Sequence, residues 1–379
     1  MRMADALKIM AWDDSRCTAP IAAASSAWFA RTGVEIEIAA RSLAAFNDQP
    51  LRELSPKCDL MVVDYPHVAK ALEERAIVSF DKLADPAAIR PIAEAAIGNA
   101  QASFLIGEKC AALACDAACH LSAFRPDQFA RLGREAPTTM GGVFALMESK
   151  PGTVAAALHH TDALSVLMSL AHGAGIPPDG GRRFFRDAGK ASACAAALAR
   201  FASKAPEYCW NSTPQEIFRI ASAGAEIAYI PFTFGYSRMV EAGRGGWRFA
   251  PPPAGGGSLL GGAGMAVSSH SRRQAAAAEF ALWYCGCEGQ ALAARNFGQP
   301  SRASAWDDPG ASAESADFFN SARTTQEIAF VRPLASWWPA AQLELGAALV
   351  EELRRKSDPE RIILALESVY GRHWTEAEA

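Results

Sequence analysis

Three strand-like segments separated by helical segments occupy the first eighty residues, and they restrict the fold more than any other feature of the sequence. Leu7–Trp12 and Leu60–Val63 are continuous apolar runs, and residues 34–38 alternate between apolar side chains and glutamates, the period of a strand. Helical patterns at Ala19–Arg31 and His67–Glu74 follow the first and third of these segments. Strands that alternate with helices at this spacing predict an α/β fold with a parallel sheet.

The rest of the chain predicts a second α/β unit that is richer in helices. With 379 residues, the chain is longer than one core usually supports, so two domains are expected. Between about 116 and 260 the patterns predict helices at 137–150, 153–172, 190–202 and 213–223 and a strand at 226–231. After a glycine cluster, they predict a strand at 263–268 and helices at 272–285, 288–297, 338–356 and 359–370.

Charge and apolar patterning exclude several functional classes. The net charge is −4 with no basic block, so nucleic acid is not an expected partner. No apolar run reaches the roughly 18 residues of a membrane-spanning helix. The first residues run straight into a strand without the apolar core of a secretory signal. The chain has nine cysteines, and an odd number indicates reduced thiols. The missing signal and the reduced thiols together predict a cytoplasmic protein, or a periplasmic one if a signal was trimmed.

No metal or cofactor site is predicted. Cys110, Cys115, Cys119 and His120 lack the paired Cys-x-x-Cys spacing of common zinc sites. The glycine run at 261–264 lacks the Lys-Ser/Thr that completes a phosphate-binding loop. It is better interpreted as a close approach of backbone segments, which glycine permits.

Three stretches of the sequence together resemble one protein family. The first comprises 58–69 and 77–83, the second 107–109, 113–116 and 124–127, and the third 261–268, 277–283, 288–290 and 298–302. In their order and spacing they resemble the family 1 extracellular solute-binding proteins, the sugar-binding components of ABC importers. The segment Arg41–Phe46 is similar to that of a branch whose members lack signal peptides.

This resemblance implies a two-lobed, type II periplasmic-binding-protein-like α/β fold. Each lobe would be a mostly parallel sheet flanked by helices, with a hinge between the lobes. Lobe one would hold 1–110 plus 264–310, and the helix-rich lobe two would hold 115–260 plus 311–379. Such a protein captures a small polar ligand (a sugar, polyol or small organic acid) by closing the cleft. The resemblance also implies an ABC permease as a partner, and we expect a monomer.

Side chains that follow the predicted strands are the first candidates for ligand contact, since ligands of open α/β sheets bind beyond the carboxyl ends of strands. This rule selects Trp12, Asp13, Arg41, Asp64 and Tyr65. An aromatic ring beside carboxylates suits a polyol. Alternatively, Asp13 and Asp64 cap helices and Arg41 forms a surface ion pair.

The resemblance implies that the chain crosses between the lobes near residues 110–114, 261–263 and 310. The remaining candidates lie near these crossings or on lobe two. They are Asp116, Trp210, Asn211, Tyr236, Gly262, Arg302 and Trp337. Each of three has a structural alternative to ligand contact. Asp116 would form a hinge hydrogen bond, Asn211 would cap a helix, and Trp210 would lie in the core. If both tryptophans face the cleft, Trp12 and Trp210 would sandwich the ligand. Arg41 and Arg302 keep an anionic ligand open.

An enzyme or a cytosolic sensor is the alternative function, because some proteins of this fold are enzymes with a cleft cysteine. Cys115 would then be the nucleophile and Asp116 or Glu226 the base. His120 is the only histidine near Cys115 in the sequence, and every residue named has a simple structural role. The sequence therefore favours a binding protein, with no catalytic residue predicted.

Overall fold

The computed structural model describes residues 6–241, 246–315 and 317–374. The strands are β1 Leu7–Trp12, β2 Ile36–Arg41, β3 Leu60–Val63, β4 Ile77–Val78, β5 Leu105–Ile106, β6 Lys109–Cys110, β7 Leu113–Phe124, β8 Tyr229–Phe234, β9 Arg248–Ala250 and β10 Leu260–Ser268. Residues 1–5, which belong to predicted lobe one and to the argument against a secretory signal, lie outside the described residues. So do residues 242–245, 316 and 375–379 of predicted lobe two.

Sixteen α-helices lie within the same described residues. They are α1 Ser15–Thr32, α2 Leu43–Asp48, α3 Leu51–Leu54, α4 Val68–Glu73, α5 Pro86–Glu94, α6 Pro126–Leu132, α7 Met140–Ser149, α8 His160–Gly173, α9 Ala188–Lys204, α10 Pro214–Ser222, α11 Gln274–Tyr284, α12 Cys287–Arg295, α13 Pro309–Glu314, α14 Phe318–Ile328, α15 Trp338–Arg354 and α16 Pro359–His373.

The main sheet is mixed, with strand order β2-β1-β3-β10-β7-β8, with β4 also beside β10 and β9 beside β7. β1 pairs in parallel with β2 and β3, as the strand–helix alternation predicted. β10 runs antiparallel to both β3 and β7, and β7 runs antiparallel to β8 and β9. The predicted two-lobed α/β fold is confirmed. Among the named strands only β1, β2 and β3 pair with one another in parallel, and β7, β8, β9 and β10 pair antiparallel, so the expected mostly parallel sheet is wrong for the second lobe.

Two long strands belong to both halves of the molecule. The first half of β10, residues 260–263, pairs with β7, and its second half, residues 264–267, also pairs with β3. The register shifts between Ala263 and Gly264. A shift of this kind bends a strand and increases its twist, so the sheet changes direction where the two halves meet. The predicted lobe boundaries stay a prediction.

Alternation along β3 divides the apolar core between the two faces of the sheet. Leu60 and Val62 belong to the core that α1 and α11 cover, whereas Met61 and Val63 belong to the larger core. This division follows from the two-residue period of a strand. The larger core continues into the helical layer, where α15 packs on α8 and α16 packs on α9.

Two predicted elements differ from the structure. The predicted helix at 153–172 begins only at His160, because residues 155–158 are buried in an extended segment beside β8. A short apolar run suits a buried strand and a helix equally, so pattern alone did not separate them. The predicted strand at 226–231 is displaced to Tyr229–Phe234.

Candidate ligand-binding cleft

A cavity that opens to solvent lies where β1, β3, β7 and β10 meet the helices α2 and α8. Five predicted site residues line it: Trp12, Asp64, Asp116, Tyr236 and Gly262. They come from distant parts of the sequence, so the cavity is a product of the tertiary structure. Their contact with a ligand stays a prediction.

Asp116 is held by a buried arginine that the sequence analysis missed. Asp116 lies in the middle of β7, and both of its carboxylate oxygens accept hydrogen bonds from Arg16, with 2.9 Å from Nε to Oδ2. Arg16 also donates from Nη1 to the carbonyl oxygen of Gly235 at 3.0 Å. Burial lowers the pKa of Arg16, while the charge and hydrogen bonds of Asp116, together with Tyr236 and Asp14, raise it, so the net shift is upward. This two-pronged pair ties the start of α1 to β7 and to the segment after β8.

Asp64 is held in the same way by Arg332. Arg332 Nη2 lies 3.2 Å from both carboxylate oxygens, and its Nε donates to the Tyr65 hydroxyl at 2.8 Å. The remaining Nη1 donates to Gln342 Oε1 at 2.9 Å. Burial lowers the pKa of Arg332, while Asp64 and Tyr65 raise it above its usual value. Tyr65 completes the network by donating to the carbonyl oxygen of Leu260 at 3.1 Å, so its role is support behind the cavity.

An aromatic wall formed by Trp12 and Phe46 borders the cavity. Their ring centroids lie 4.8 Å apart, and both side chains are buried. Arg41 lies against Phe46, with its guanidinium carbon 5.5 Å from the ring centroid, and is not part of the cavity lining. Its Nη2 donates to the carbonyl oxygen of Val62 at 3.2 Å, while Nε and Nη1 find no partner in the described chain. Burial lowers its pKa to about 10. Because Arg41 is buried and pairs with no carboxylate among the described residues, the surface ion pair considered as an alternative is not formed.

Two carboxylates of the lining lack an arginine partner. Asp48 ends α2, and its Oδ1 is buried without a hydrogen bond among the described residues. Asp162 lies in the first turn of α8. Burial, and then the nearby Asp48 and Glu216, raise the pKa of Asp162 to about 7. Asp48 and Asp162 are therefore the two aspartates of the lining that form no ion pair among the described residues.

Gly262 brings the backbones of β10 and β7 together at the cavity. Its φ of +119° is one that other residues rarely adopt, and a Cβ there would lie 2.4 Å from the carbonyl oxygen of Asp116. A Cβ on Gly261 would lie 2.6 Å from the ring of Phe234. The glycine run is thus a close backbone approach, as its sequence indicated.

The other predicted contacts on lobe one lie away from the lining. Asp13 is exposed, and the N-cap of α1 is Asp14 rather than Asp13, since Asp14 Oδ1 accepts from the Arg16 backbone N–H at 2.7 Å. Arg302 donates to Ser304 at 3.1 Å on the exposed surface. Neither Asp13 nor Arg302 is therefore part of the cavity lining in this structure.

Trp210, Asn211 and Trp337 also lie outside the lining. Trp210 is buried in the larger core with the guanidinium carbon of Arg354 4.6 Å from its ring centroid. Asn211 is exposed at the end of a short 3-10 helix. Trp337 packs on Trp338 and Tyr370. Because Trp210 belongs to the larger core and not to this cavity lining, the structure gives the predicted sandwich between Trp12 and Trp210 no support.

Several lining residues were not predicted from the sequence, because the patterns that identify strand ends do not reach them. Arg16 follows the first strand closely, and the strand-end rule would have reached it with a window four residues wide. Arg332 and Asp162 carried no local signal, because each depends on how a distant segment packs against the sheet.

The alternative catalytic assignment has no geometric support in the described chain. Cys115 Sγ donates to the carbonyl oxygen of Ala263 at 3.4 Å, and burial holds the pKa of this thiol well above its usual value. His120 Nδ1 instead contacts the Ser169 hydroxyl at 2.9 Å, and burial lowers the pKa of His120 to about 3. The described part of the chain also groups no three His, Cys, Asp or Glu side chains in a metal-binding arrangement.

Among the described helices, none combines the length and the apolar character needed to cross a membrane.

The comparisons with known proteins rest on structure alone. No family model matches the sequence, and neither does any curated protein. The maltose-bound MalE3 of T. maritima superposes with a TM-score of 0.81 at 16% identity, covering 96% of this chain and 98% of that one.

Two further solved structures share the fold. An ABC transporter solute-binding protein from Agrobacterium radiobacter in complex with ribitol gives a TM-score of 0.77 at 16% identity, over 97% of this chain and 98% of that one. UgpB from Mycobacterium tuberculosis in complex with glycerophosphocholine gives 0.80 at 12% identity, over 96% and 97%. The chain therefore has the two-lobed α/β fold of ABC-transporter solute-binding proteins, as the sequence resemblance implied.

Proposed function

We propose that this protein captures a small polar solute in the cavity, as the binding component of an ABC-type importer. The observation that carries the proposal is a cavity lined from both halves of the molecule, with an aromatic wall and four aspartates. Proteins of the same fold have been solved with maltose, tagatose and ribitol. Those ligands present hydroxyl groups to carboxylates and C–H faces to rings, which is the chemistry that this lining offers.

The lining is suited to recognition because its polar groups are fixed before a ligand arrives. Arg16 and Arg332 hold Asp116 and Asp64 in place by buried hydrogen bonds, so little side-chain entropy is lost on binding. Gln215 of α10 donates to Asp14 at the start of α1 at 2.6 Å, which joins the two sides of the cavity. Closure around a solute would strengthen such contacts.

Binding rather than catalysis is the better-supported role. Two of the solved neighbours, in complex with tagatose and with ribitol, are described as solute-binding proteins. Cys115 is a buried thiol without a histidine partner among the described residues. The permease partner, the monomeric state and the compartment are expectations of the same proposal. Size-exclusion chromatography and fractionation of the native host would test the last two.

The test of this function is solution scattering beside a thermal-shift screen over neutral sugars and polyols, starting with maltose, tagatose and ribitol. A binding ligand should raise the melting temperature and reduce the radius of gyration. Trp12→Ala should weaken binding by about 10- to 100-fold, because losing the ring removes stacking and apolar contact worth roughly 1.4–2.8 kcal/mol.

Trp210→Ala is the matched control, since this buried tryptophan lies outside the cavity. It should lower the melting temperature without changing the dissociation constant. Equal loss of affinity in both variants, or a radius that stays constant during saturable binding, would contradict the proposed capture by closure.

A further inference from the structure

The cavity lining carries more negative than positive charge. Its charged side chains are those of Arg16, Asp48, Asp64, Asp116, Asp162 and Arg332. Each arginine is already bound to one carboxylate, in the pairs Arg16–Asp116 and Arg332–Asp64. Two carboxylates remain, and within the described chain no unpaired lysine or arginine lines the cavity to balance them. An anionic ligand would therefore face repulsion without a cation to receive it.

Asp48 and Asp162 lie on different elements and face the same space. Asp48 is the last residue of α2, and Asp162 is in the first turn of α8. The buried Oδ1 of Asp48 has no hydrogen-bond partner in the described residues, and the two carboxylates are close enough for Asp48 to raise the pKa of Asp162. Both residues are half-buried, and a carboxylate oxygen that is buried without a partner, as Oδ1 of Asp48 is, is destabilising. A group that supplies positive charge or hydrogen-bond donors would therefore stabilise this arrangement.

The surrounding rings also favour a cation. Trp12, Phe46, Phe234 and Tyr236 line the cavity, and the faces of such rings attract ammonium groups. A neutral polyol could donate hydroxyl hydrogens to the two carboxylates, but it would leave their mutual repulsion in place. An ammonium group between them removes that repulsion and supplies several N–H donors.

We infer that the cleft accepts a polyhydroxylated ligand that carries a protonated amine, with the ammonium group seated between Asp48 and Asp162. The inference rests on the proposed capture function and narrows its ligand class. The hydroxyl groups of the ligand meet the paired carboxylates Asp64 and Asp116, and the amine meets the unpaired ones.

Proton linkage gives this inference a second consequence. The pKa of Asp162 is raised to about 7, so a fraction of Asp162 carries a proton near neutral pH. The groups around it are Asp48 of α2, Glu216 of α10, Tyr236, and the histidines 159 and 160 beside its own helix start. An ammonium group stabilises the ionised carboxylate, so binding should release a proton. The affinity for an amine should then fall as the pH drops from 8 to 6.

The experiment uses matched probes that differ only in charge: sorbitol against 1-amino-1-deoxysorbitol, and glucose against 6-amino-6-deoxyglucose. Titration calorimetry at pH 8 should give at least tenfold tighter binding for an amine than for its neutral partner. Repeating it near pH 7 in buffers of different ionisation enthalpy should show proton release for the amine only.

Variants locate the amine. Asp48→Asn and Asp162→Asn should each weaken binding of the amine about tenfold and leave binding of its neutral partner within about twofold. Asp127→Asn, an exposed aspartate outside the cavity, should change neither.

Several results would overturn the inference. If neutral probes bind as tightly as the amines, or if the asparagine variants weaken both members of a pair equally, the ammonium site is wrong while solute capture stands. Calcium binding that is lost in the same two variants would assign the carboxylates to a metal ion instead. If neither the probes nor the neutral sugar panel binds, the capture function fails together with the inference.

Discussion

The buried ion pairs at the cavity should matter more for the free energy of unfolding than the exposed ion pairs of the same protein. The side chains of Arg332 and Asp64 are 4% and 12% exposed, whereas those of Arg31 and Glu288 are both 60% exposed. An exposed pair contributes little, because water and salt screen it. Removing one partner of a buried pair leaves the other charge without compensation.

We therefore predict that Arg332→Met lowers the free energy of unfolding by about 3–5 kcal/mol, since Asp64 is left buried and unpaired. Arg31→Met, the matched surface control, should change it by less than about 1 kcal/mol. Urea unfolding measures both. Similar small changes in the two variants would mean that water reaches Asp64 and replaces the arginine.

Among the elements, β7 and β10 determine where the cavity forms. Both strands run through the two halves, and their pairing changes register beside the cavity. Gly262 permits this approach in two separable ways, a positive φ and the space of a missing Cβ. Gly224, which follows α10 and has a φ of +108°, has the same backbone requirement but open space around it.

Gly262→Ala should therefore destabilise the protein more than Gly224→Ala. Both changes force a residue with a Cβ into a strained conformation, worth about 1–3 kcal/mol. Gly262→Ala adds a clash with the backbone of Asp116. Inserting an extra carbon into a closely packed site destabilises a protein by about 1–3 kcal/mol more. Thermal melts compare the two variants directly. Equal shifts would show that β7 and β10 separate freely to admit the Cβ.

On the scale of the whole molecule, the cysteines report on how completely the two cores exclude solvent. All nine carry free thiols, eight of them buried and Cys287 exposed at the start of α12. Burial raises the pKa of Cys58 and Cys110 to about 12, so these groups stay protonated and unreactive at neutral pH.

A thiol-reactive dye should therefore modify one group quickly in the native protein and nine after unfolding without reductant. Cys287→Ser should remove the fast phase and leave the slow one. Several fast thiols in the native state would contradict the closed packing of the cores, and fewer than nine after unfolding would contradict the reduced state that the odd count predicts.

The sequence was sufficient for the elements whose patterns are set locally. β1 and β3 were predicted to the residue, because continuous apolar runs bounded by polar residues specify a buried strand. The α/β class followed from the same alternation. β7 was not predicted as one strand of twelve residues, because its alanines and cysteines carry little strand preference.

What the sequence by itself determined was the α/β class, most helices, and five residues that line the cavity, Trp12, Asp64, Asp116, Tyr236 and Gly262. Only the tertiary structure decided which charges neutralise one another and which remain unpaired. Arg332 lies 268 residues from Asp64, and Arg16 lies 100 residues from Asp116. The energy of such pairs depends on distance and burial in space, and neither quantity is encoded by the spacing of residues along the chain.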